Sequence, residues 1–316
     1  MTMTSQDLEV QGLMLKKSGK AISLLASELL KLNPGSRLPT FSELVERSEF
    51  SRGTLQNAMQ SLEEIQAISL KKRGHQGTFL IEKKTDVLLK CLGTSYICGI
   101  MPIPYTKKYE GFVTGLLHTF SRPNRELAVD IVYMRGSARR IQSVENHRYD
   151  FGITSRLSAL TAINGGAKIE IVKDFGRKSY LGGQSLFFRE HNMHGIQDGM
   201  RVGIDRSSID HVELTKKAIG NHDVQFVDLN YNQIMKMIDE NAIDIAVWNI
   251  DNLMEHQSDA NYKVFDYSEA SDETSAVMVI SNSNPVLKSV LTEFVDVGFV
   301  LKQQNEVIEG KRYPDF

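Results

Sequence analysis

Residues 37–79 read RLPTFSELVERSEFSRGTLQNAMQSLEEIQAISLKKRGHQGTF. Thr40 stands three residues before Glu43, the spacing at which a hydroxyl and a carboxylate satisfy each other's backbone amides at a helix start. Ser51 is placed to cap a second helix, its oxygen accepting from the free amides of the first turn. Along that helix Leu55, Ala58, Met59 and Leu62 recur at i, i+3, i+4 and i+7 and so share one buried face. The other face carries Arg52, Gln56, Asn57 and Gln60. Two short extended runs follow, Ile68–Lys72 and Thr78–Glu82, joined by the basic, glycine-bearing tip Arg73-Gly74-His75-Gln76-Gly77. The order predicted is helix, turn, helix, two-stranded wing.

That order is how a winged helix-turn-helix is written, with the second helix offered to the major groove of DNA. The stretch also resembles the GntR family of bacterial transcription regulators. The resemblance is carried by Leu38-Pro39-Thr40, Glu43-Leu44, Ser51-Arg52-Gly53-Thr54, the run from Ala58 to Glu63 and Gly77-Thr78-Phe79. It implies double-stranded operator DNA as partner and, for Arg37, a phosphate contact. The expected DNA-binding residues are Arg37, Thr40, Ser51, Arg52, Thr54, Gln56, Asn57, Lys71, Lys72, Arg73 and Gly77. A helical protein-interaction module on the same scaffold is the competing reading.

Two departures bear on specificity. Many members of that family carry arginine where this chain has Gln56, and many carry arginine at the place of Ser42. Arginine fits the O6/N7 pair of guanine, whereas glutamine fits N6/N7 of adenine. The half-site is therefore expected to present adenine where relatives read guanine. The wing tip is one residue longer than the usual Gly-x-Gly.

The chain has 316 residues, more than a winged helix needs, which leaves room for a larger domain or two lobes. Residues 1–90 hold 13 basic and 10 acidic side chains, against 24 and 29 in the remainder. A basic small part on an acidic large part suits a nucleic-acid reader joined to something else. No run of about eighteen apolar residues occurs, and MTMTSQDLEV lacks a signal-peptide layout, so a cytoplasmic protein without a membrane partner is expected. Cys91 and Cys98 are spaced for neither a metal knuckle nor a redox pair and are expected as reduced, packed thiols.

Before the central stretch, Ile22, Leu25, Ala26 and Leu29 form an apolar stripe that Asn33-Pro34-Gly35 ends. After it, residues 82–95 read as a connector whose Val87-Leu88-Leu89 patch is either a dimer contact or a docking strand. From Tyr96 onward short apolar strands alternate with longer amphipathic helices, the pattern of an α/β domain. Strands are expected at Tyr96–Met101, Leu127–Met134, Phe151–Thr154, Glu170–Asp174, Gln184–Phe188, Met200–Ile204, Val224–Asp228, Ile243–Trp248 and Ser275–Ile280, with a long helix near Pro285–Gln304.

Tyr149-Asp150-Phe151-Gly152-Ile153, Arg201-Val202-Gly203-Ile204-Asp205 and the run from Asp239 to Asn249 resemble the type II periplasmic-binding-protein fold as used by cytoplasmic regulators. Over its full length the chain is similar to YhfZ-type proteins, on MPIPYTKKYEGF (101–112), YMRGSARR (133–140), DFGITSRLSAL (150–160) and VGIDRSS (202–208). The fold class expected is α/β, an N-terminal winged helix-turn-helix domain at 1–86 and a two-lobed effector-binding domain at 87–316. Lobe I would take about 95–188 and 275–316, and lobe II about 190–272.

Ligands in open α/β sheets collect at the carboxyl ends of strands, beside helix amino-termini. The side chains at those places are Tyr105, Arg135, Ser137, Ser155 and Arg156 in the first lobe. Arg206, Ser207, Ser208, Trp248 and Asn249 are their counterparts in the second. Several guanidiniums among hydroxyls favour a ligand carrying carboxylate or phosphate. The sequence holds no Gly-x-Ser-x-Gly elbow, Walker-type loop or His-Glu-x-x-His, and His191 and His194 read as a surface turn. No catalytic residue, metal or cofactor is expected. The function expected is a ligand-responsive, dimeric DNA-binding transcription regulator sensing a small anionic metabolite in the interlobe cleft. An enzyme or small-molecule binding protein whose N-terminal domain mediates contacts is one alternative, and a DNA-binding protein whose ligand-free second domain only dimerises is the other.

Overall fold

A computed structural model describes Val10 and residues 19–94, 96–121, 127–190, 192–193, 195–251 and 272–316, together with the backbone of 262–264. The chain divides into two compact units. The first comprises Met1–Ile97, Phe120–Ala128 and Asn284–Phe294; the second comprises Cys98–Thr119, Val129–Ser283 and Val295–Phe316.

In the first unit, helix α1 (Gly19–Leu30) buries the expected stripe of Ile22, Leu25, Ala26 and Leu29, with Ala21 and Leu30 beside it. It packs against α3 (Arg52–Glu64), α4 (Thr85–Cys91) and α10 (Pro285–Phe294). Helix α2 (Phe41–Glu46) begins with a complete capping box, in which the Thr40 amide donates to Glu43 at 2.6 Å and the Glu43 amide donates to Thr40 Oγ1 at 3.2 Å. Ser51 caps α3 by accepting from the Thr54 amide at 3.2 Å. The wing is the antiparallel pair β1 (Ile68–Lys72) and β2 (Thr78–Lys83).

The connector turns out differently from either expectation. Val87, Leu88 and Leu89 lie on helix α4 and are buried inside the first unit, so the anticipated break after residue 86 falls within a helix. The carbonyl of Leu30, left free at the end of α1, accepts from Lys83 Nζ at 3.0 Å and from Ser289 Oγ at 2.6 Å. Lys83 also pairs with Glu293, which accepts from Thr85 Oγ1 at 2.9 Å.

The second unit is built on two five-stranded sheets. One runs β4 (Ala128–Tyr133), β3 (Tyr96–Met101), β5 (Phe151–Ser155), β12 (Ala276–Ser281), β6 (Ile169–Asp174). The other runs β11 (Tyr262–Val264), β7 (Gln184–Phe188), β10 (Ile245–Asn249), β8 (Arg201–Ile204), β9 (Gln225–Asp228). Strands β5 and β10 are buried at every position, as strands covered on both faces must be. The remaining helices are α5 (Lys107–Phe120), α6 (Ser137–Glu145), α7 (Arg156–Asn164), α8 (Ile209–Ile219), α9 (Ile234–Asp239) and α11 (Val297–Ile308).

Two details differ from the sequence reading. Gln184–Phe188, grouped there with the first lobe, pairs antiparallel with β10 along its whole length and belongs to the second sheet. The single helix anticipated over 285–304 is two, because Asp296 leaves the helical region and caps α11 through the Phe299 amide at 3.0 Å. The motif residues Arg201 and Asp244 do structural work. Arg201 Nη2 and Nε meet the Asp244 carboxylate at 2.7 and 3.1 Å, fastening β8 to the entry of β10 and holding that carboxyl below its ordinary value.

Candidate functional site

The exposed face of the helix-turn-helix is assembled as its spacing requires. With Leu55, Ala58, Met59 and Leu62 inside, Arg52, Gln56, Asn57 and Gln60 stand in solvent. Thr54 Oγ1 lies 2.9 Å from Ser51 Oγ, and the Thr40 hydroxyl donates to Glu43 at 2.9 Å, so these hydroxyls shape the helix starts before they can meet anything else. Lys71, Lys72 and Arg73 are exposed along the wing, with the Arg73 guanidinium 4.6 Å above the Phe79 ring. Arg37 bridges Phe79 through its backbone, and its side chain runs beneath Gly77. The backbone at Gly77 has φ +95°, which favours glycine, and a Cβ there would come within 2.9 Å of Arg37 Nε and push that flexible side chain aside.

In the second unit a cavity of about 170 Å³ opens at the carboxyl ends of β3, β4 and β8. Pro102, Ile103 and Tyr105 follow β3; Arg135, Gly136 and Ser137 follow β4; Asp205 and Ser208 follow β8. The amino-termini of α6 and α8 meet here. Ser137 Oγ accepts from the Ile209 amide at 2.9 Å, and a Cβ on Gly136, at φ +86°, would lie 2.8 Å from Ser207 Oγ. Ser208 caps α8 through the His211 amide.

Four tyrosines line the wall, Tyr105, Tyr109, Tyr180 and Tyr231. Tyr105 and Tyr180 both meet Tyr109 edge to face, with ring centroids 5.4 and 5.3 Å away. Burial raises the phenols of Tyr109 and Tyr180, so both remain neutral hydroxyls. His211 is pinned at both nitrogens: Nδ1 accepts from the Asp205 amide at 2.9 Å, so Nε2 carries the proton and donates to the Val247 carbonyl at 2.9 Å. Burial lowers its pKa to about 4, which keeps the ring uncharged. Asp205 accepts from Ser207 Oγ at 2.6 Å and from the Tyr231 amide at 2.9 Å. Asp210 accepts from Ser155 and Ser158 hydroxyls at 2.6 and 2.8 Å, and burial raises its pKa.

Arg140 is the unexpected member. It is 4% exposed, and its guanidinium donates to the carbonyls of Ile153 and Met134 and to the Tyr180 hydroxyl at 3.2, 2.9 and 3.0 Å. No ion pair neutralises it among the described residues. Its place was legible: Ser137, Arg140, Ile141 and Val144 recur at i, i+3, i+4 and i+7 and are the buried face of α6.

Of the side chains expected at the ligand, the cavity brings together Tyr105, Arg135, Ser137 and Ser208. Arg156 is bound to Asp174 and Asp272 instead, and Arg206 to Asp228 at 2.6 Å. Ser155 reaches the site only through Asp210, and Ser207 only through Asp205. Trp248 packs edge to face on Phe187 at 5.2 Å in an apolar cluster, and Asn249 lies buried beside it. Arg140, Gln184, Asp205, Asp210, His211 and the tyrosines 109, 180 and 231 are lining residues the sequence reading did not select. His191 and His194 lie outside the described residues. No cluster of three metal-ligating side chains occurs among the described residues, and none of the helices they form is long and apolar enough to cross a membrane.

A family model described as the YhfZ C-terminal domain matches residues 84–316. The chain belongs to the YhfZ C-terminal domain family. A helix-turn-helix domain model matches residues 33–80 ahead of it. The uncharacterized protein YhfZ of Escherichia coli (strain K12) is 29% identical over 304 residues, spanning 96% of this chain and 98% of that protein. A crystal structure of YhfZ from Shigella flexneri aligns with a TM-score of 0.58 and 26% identity, covering 70% of this chain and 94% of that one. The alkanesulfonate-binding protein SsuA from Xanthomonas axonopodis pv. citri, solved bound to MOPS, aligns at 0.51 with 13% identity, covering 69% and 75%. The last is a likeness of fold: the YhfZ C-terminal domain is built like a solute-binding protein, here joined to a helix-turn-helix.

Proposed function

We propose that the chain is a cytoplasmic, ligand-responsive transcription regulator. Its winged helix, of GntR-like pattern, binds operator DNA as a homodimer, and the cavity in the second unit takes a small anionic effector. The observation that carries this reading is the joining, in one chain, of a doubly capped helix-turn-helix with a solvent-exposed polar face to a solute-binding-protein-like domain. A cavity lined by a buried, unpaired arginine supports the effector half.

One recognition helix reads too few bases for specificity, so two copies on half-sites about 34 Å apart are required. Arg52, Gln56 and Asn57 face the bases; Arg37, Lys71, Lys72 and Arg73 supply phosphate contacts and a steep dependence on salt. Effector binding biases closure around the cavity and through it the DNA-binding unit, with a coupling of about 1–3 kcal/mol as is usual for such linkage.

Mobility shift of the full chain with DNA from upstream of its own reading frame, with and without heparin as competitor, tests the proposal. Retention that survives heparin is expected. Loss of all retention at low salt would contradict it and favour a binding protein or enzyme whose N-terminal domain serves contacts.

A further inference from the structure

The cavity holds two buried groups whose bonding is incomplete, and together they specify a ligand more closely than its charge does. Arg140 carries five N–H donors, of which three are used by the Ile153 and Met134 carbonyls and the Tyr180 hydroxyl. No carboxylate lies within ion-pair distance of this buried guanidinium among the described residues, the Asp210 charge acting on it only from further away, and two of its N–H donors remain for an anion. Gln184, 5% exposed, has an Oε1 with no hydrogen-bond partner among the described residues, while a side-chain bond joins Gln184 to the Tyr231 phenol. An orphaned buried acceptor asks for a donor.

Three further observations narrow the class. A cavity of about 170 Å³ compares with the roughly 150 Å³ apolar cavity that takes up benzene, so the ligand body is about that size. The walls between the polar groups are tyrosine rings, Ile103 and Leu181, which favour a compact apolar body. Asp205 and Asp210 share the lining with Arg135 and Arg140, a balanced set of formal charges that a monoanion upsets less than a dianion does. Asp205 is taken up by Ser207 and the Tyr231 amide, whereas both serine hydroxyls on Asp210 share its Oδ1, so the amino acid is the comparison that tests Asp210 as an ammonium partner.

We propose that the effector is a small hydroxy acid: a monocarboxylate on a compact apolar body, its carboxylate on Arg140 and its hydroxyl donating to Gln184 Oε1. This rests on the reading of the cavity as the effector site and adds the class of effector to it. Arg140 and Gln184 are then the two specificity-determining residues, one for charge and one for the donor.

The test is calorimetry on the full chain without DNA, using two matched sets. The first is 2-hydroxy-3-methylbutanoate, 3-methylbutanoate, valine and 2-hydroxy-3-methylbutanamide; the second carries the same four groups on a phenyl body, as mandelate, phenylacetate, phenylglycine and mandelamide. In at least one set the hydroxy acid binds best, loss of its hydroxyl weakens binding roughly tenfold, and the amide does not bind. Gln184→Met removes the preference for the hydroxyl while retaining binding of the plain acid. Arg140→Lys, which keeps the charge and loses the fork, weakens both acids together; its fold is checked by the near-ultraviolet circular dichroism of the cavity tyrosines. Preference for the amino acid, or for the amide, would overturn the class and leave the cavity as an effector site of another kind. Binding of none of the eight compounds would overturn it as well, and DNA retention, measured separately, then reports on the regulator reading by itself.

Discussion

Ser137 Oγ accepts the Ile209 amide at 2.9 Å, so the first turn of α6 supplies a hydrogen-bond partner to the first turn of α8. The two helices follow strands of different sheets, and the α6 serine satisfies an amide that α8 leaves free. Both lobes thereby meet at the helix ends that face the cavity.

Gly136→Ala is expected to loosen that junction. The glycine sits at φ +86°, and a Cβ would lie 2.8 and 2.9 Å from Oγ and Cβ of Ser207. A cost of about 1–3 kcal/mol follows from strained backbone plus overlap. Urea denaturation followed through Trp248, the only tryptophan, reads it; an unchanged midpoint would contradict it.

His211 gives the second unit a pH dependence whose sign is fixed. Its folded pKa, about 4, is below the ordinary value of 6.5, so between those values the unfolded chain binds the extra proton. Its contribution is full above pH 6.5, is lost as pH falls toward 4, and amounts to about 3 kcal/mol across the window. Denaturation midpoints at pH 7.5 and pH 4.5 measure this, and a substitution such as His211→Gln should flatten that part of the profile.

Removing a cap acts on the first unit. Ser51→Ala should cost about 1 kcal/mol of local stability and Thr40→Ala a similar amount, since each leaves a first-turn amide without its acceptor. Hydrogen exchange is expected to speed up in α2 and α3 while β10 and β12 stay protected. Equal acceleration everywhere would mean the two units unfold as one.

The reach of the sequence can be judged from particular residues. Thr40 with Glu43, Ser51 with Thr54, and the Leu55–Leu62 stripe are local relationships, complete within one or two helical turns, and each was readable. The sheet to which Gln184–Phe188 belongs is a matter of long-range pairing, and an apolar run carries no signal of its partner. Arg156 and Arg206 stood at strand ends where a ligand cation belongs, but Asp174, Asp272 and Asp228 reach them across 18, 116 and 22 residues. Arg140 falls in the i, i+3, i+4 stripe of α6, but nothing local separates its buried guanidinium from the exposed one of Arg139.

Gln56→Arg should change what the recognition helix reads. Arginine matches guanine O6/N7 and glutamine matches adenine N6/N7, so selected sites should exchange adenine for guanine at one position of each half-site. An unchanged preference at every position would place Gln56 away from the bases.

The central claim is that this chain reads DNA by sequence. Selection of bound duplexes from a random pool by the full chain tests it most directly. The account predicts an inverted repeat whose half-sites lie about one helical turn apart, lost in Arg52→Ala. A pool recovered without any enriched sequence, or with no retained DNA at low salt, would contradict it.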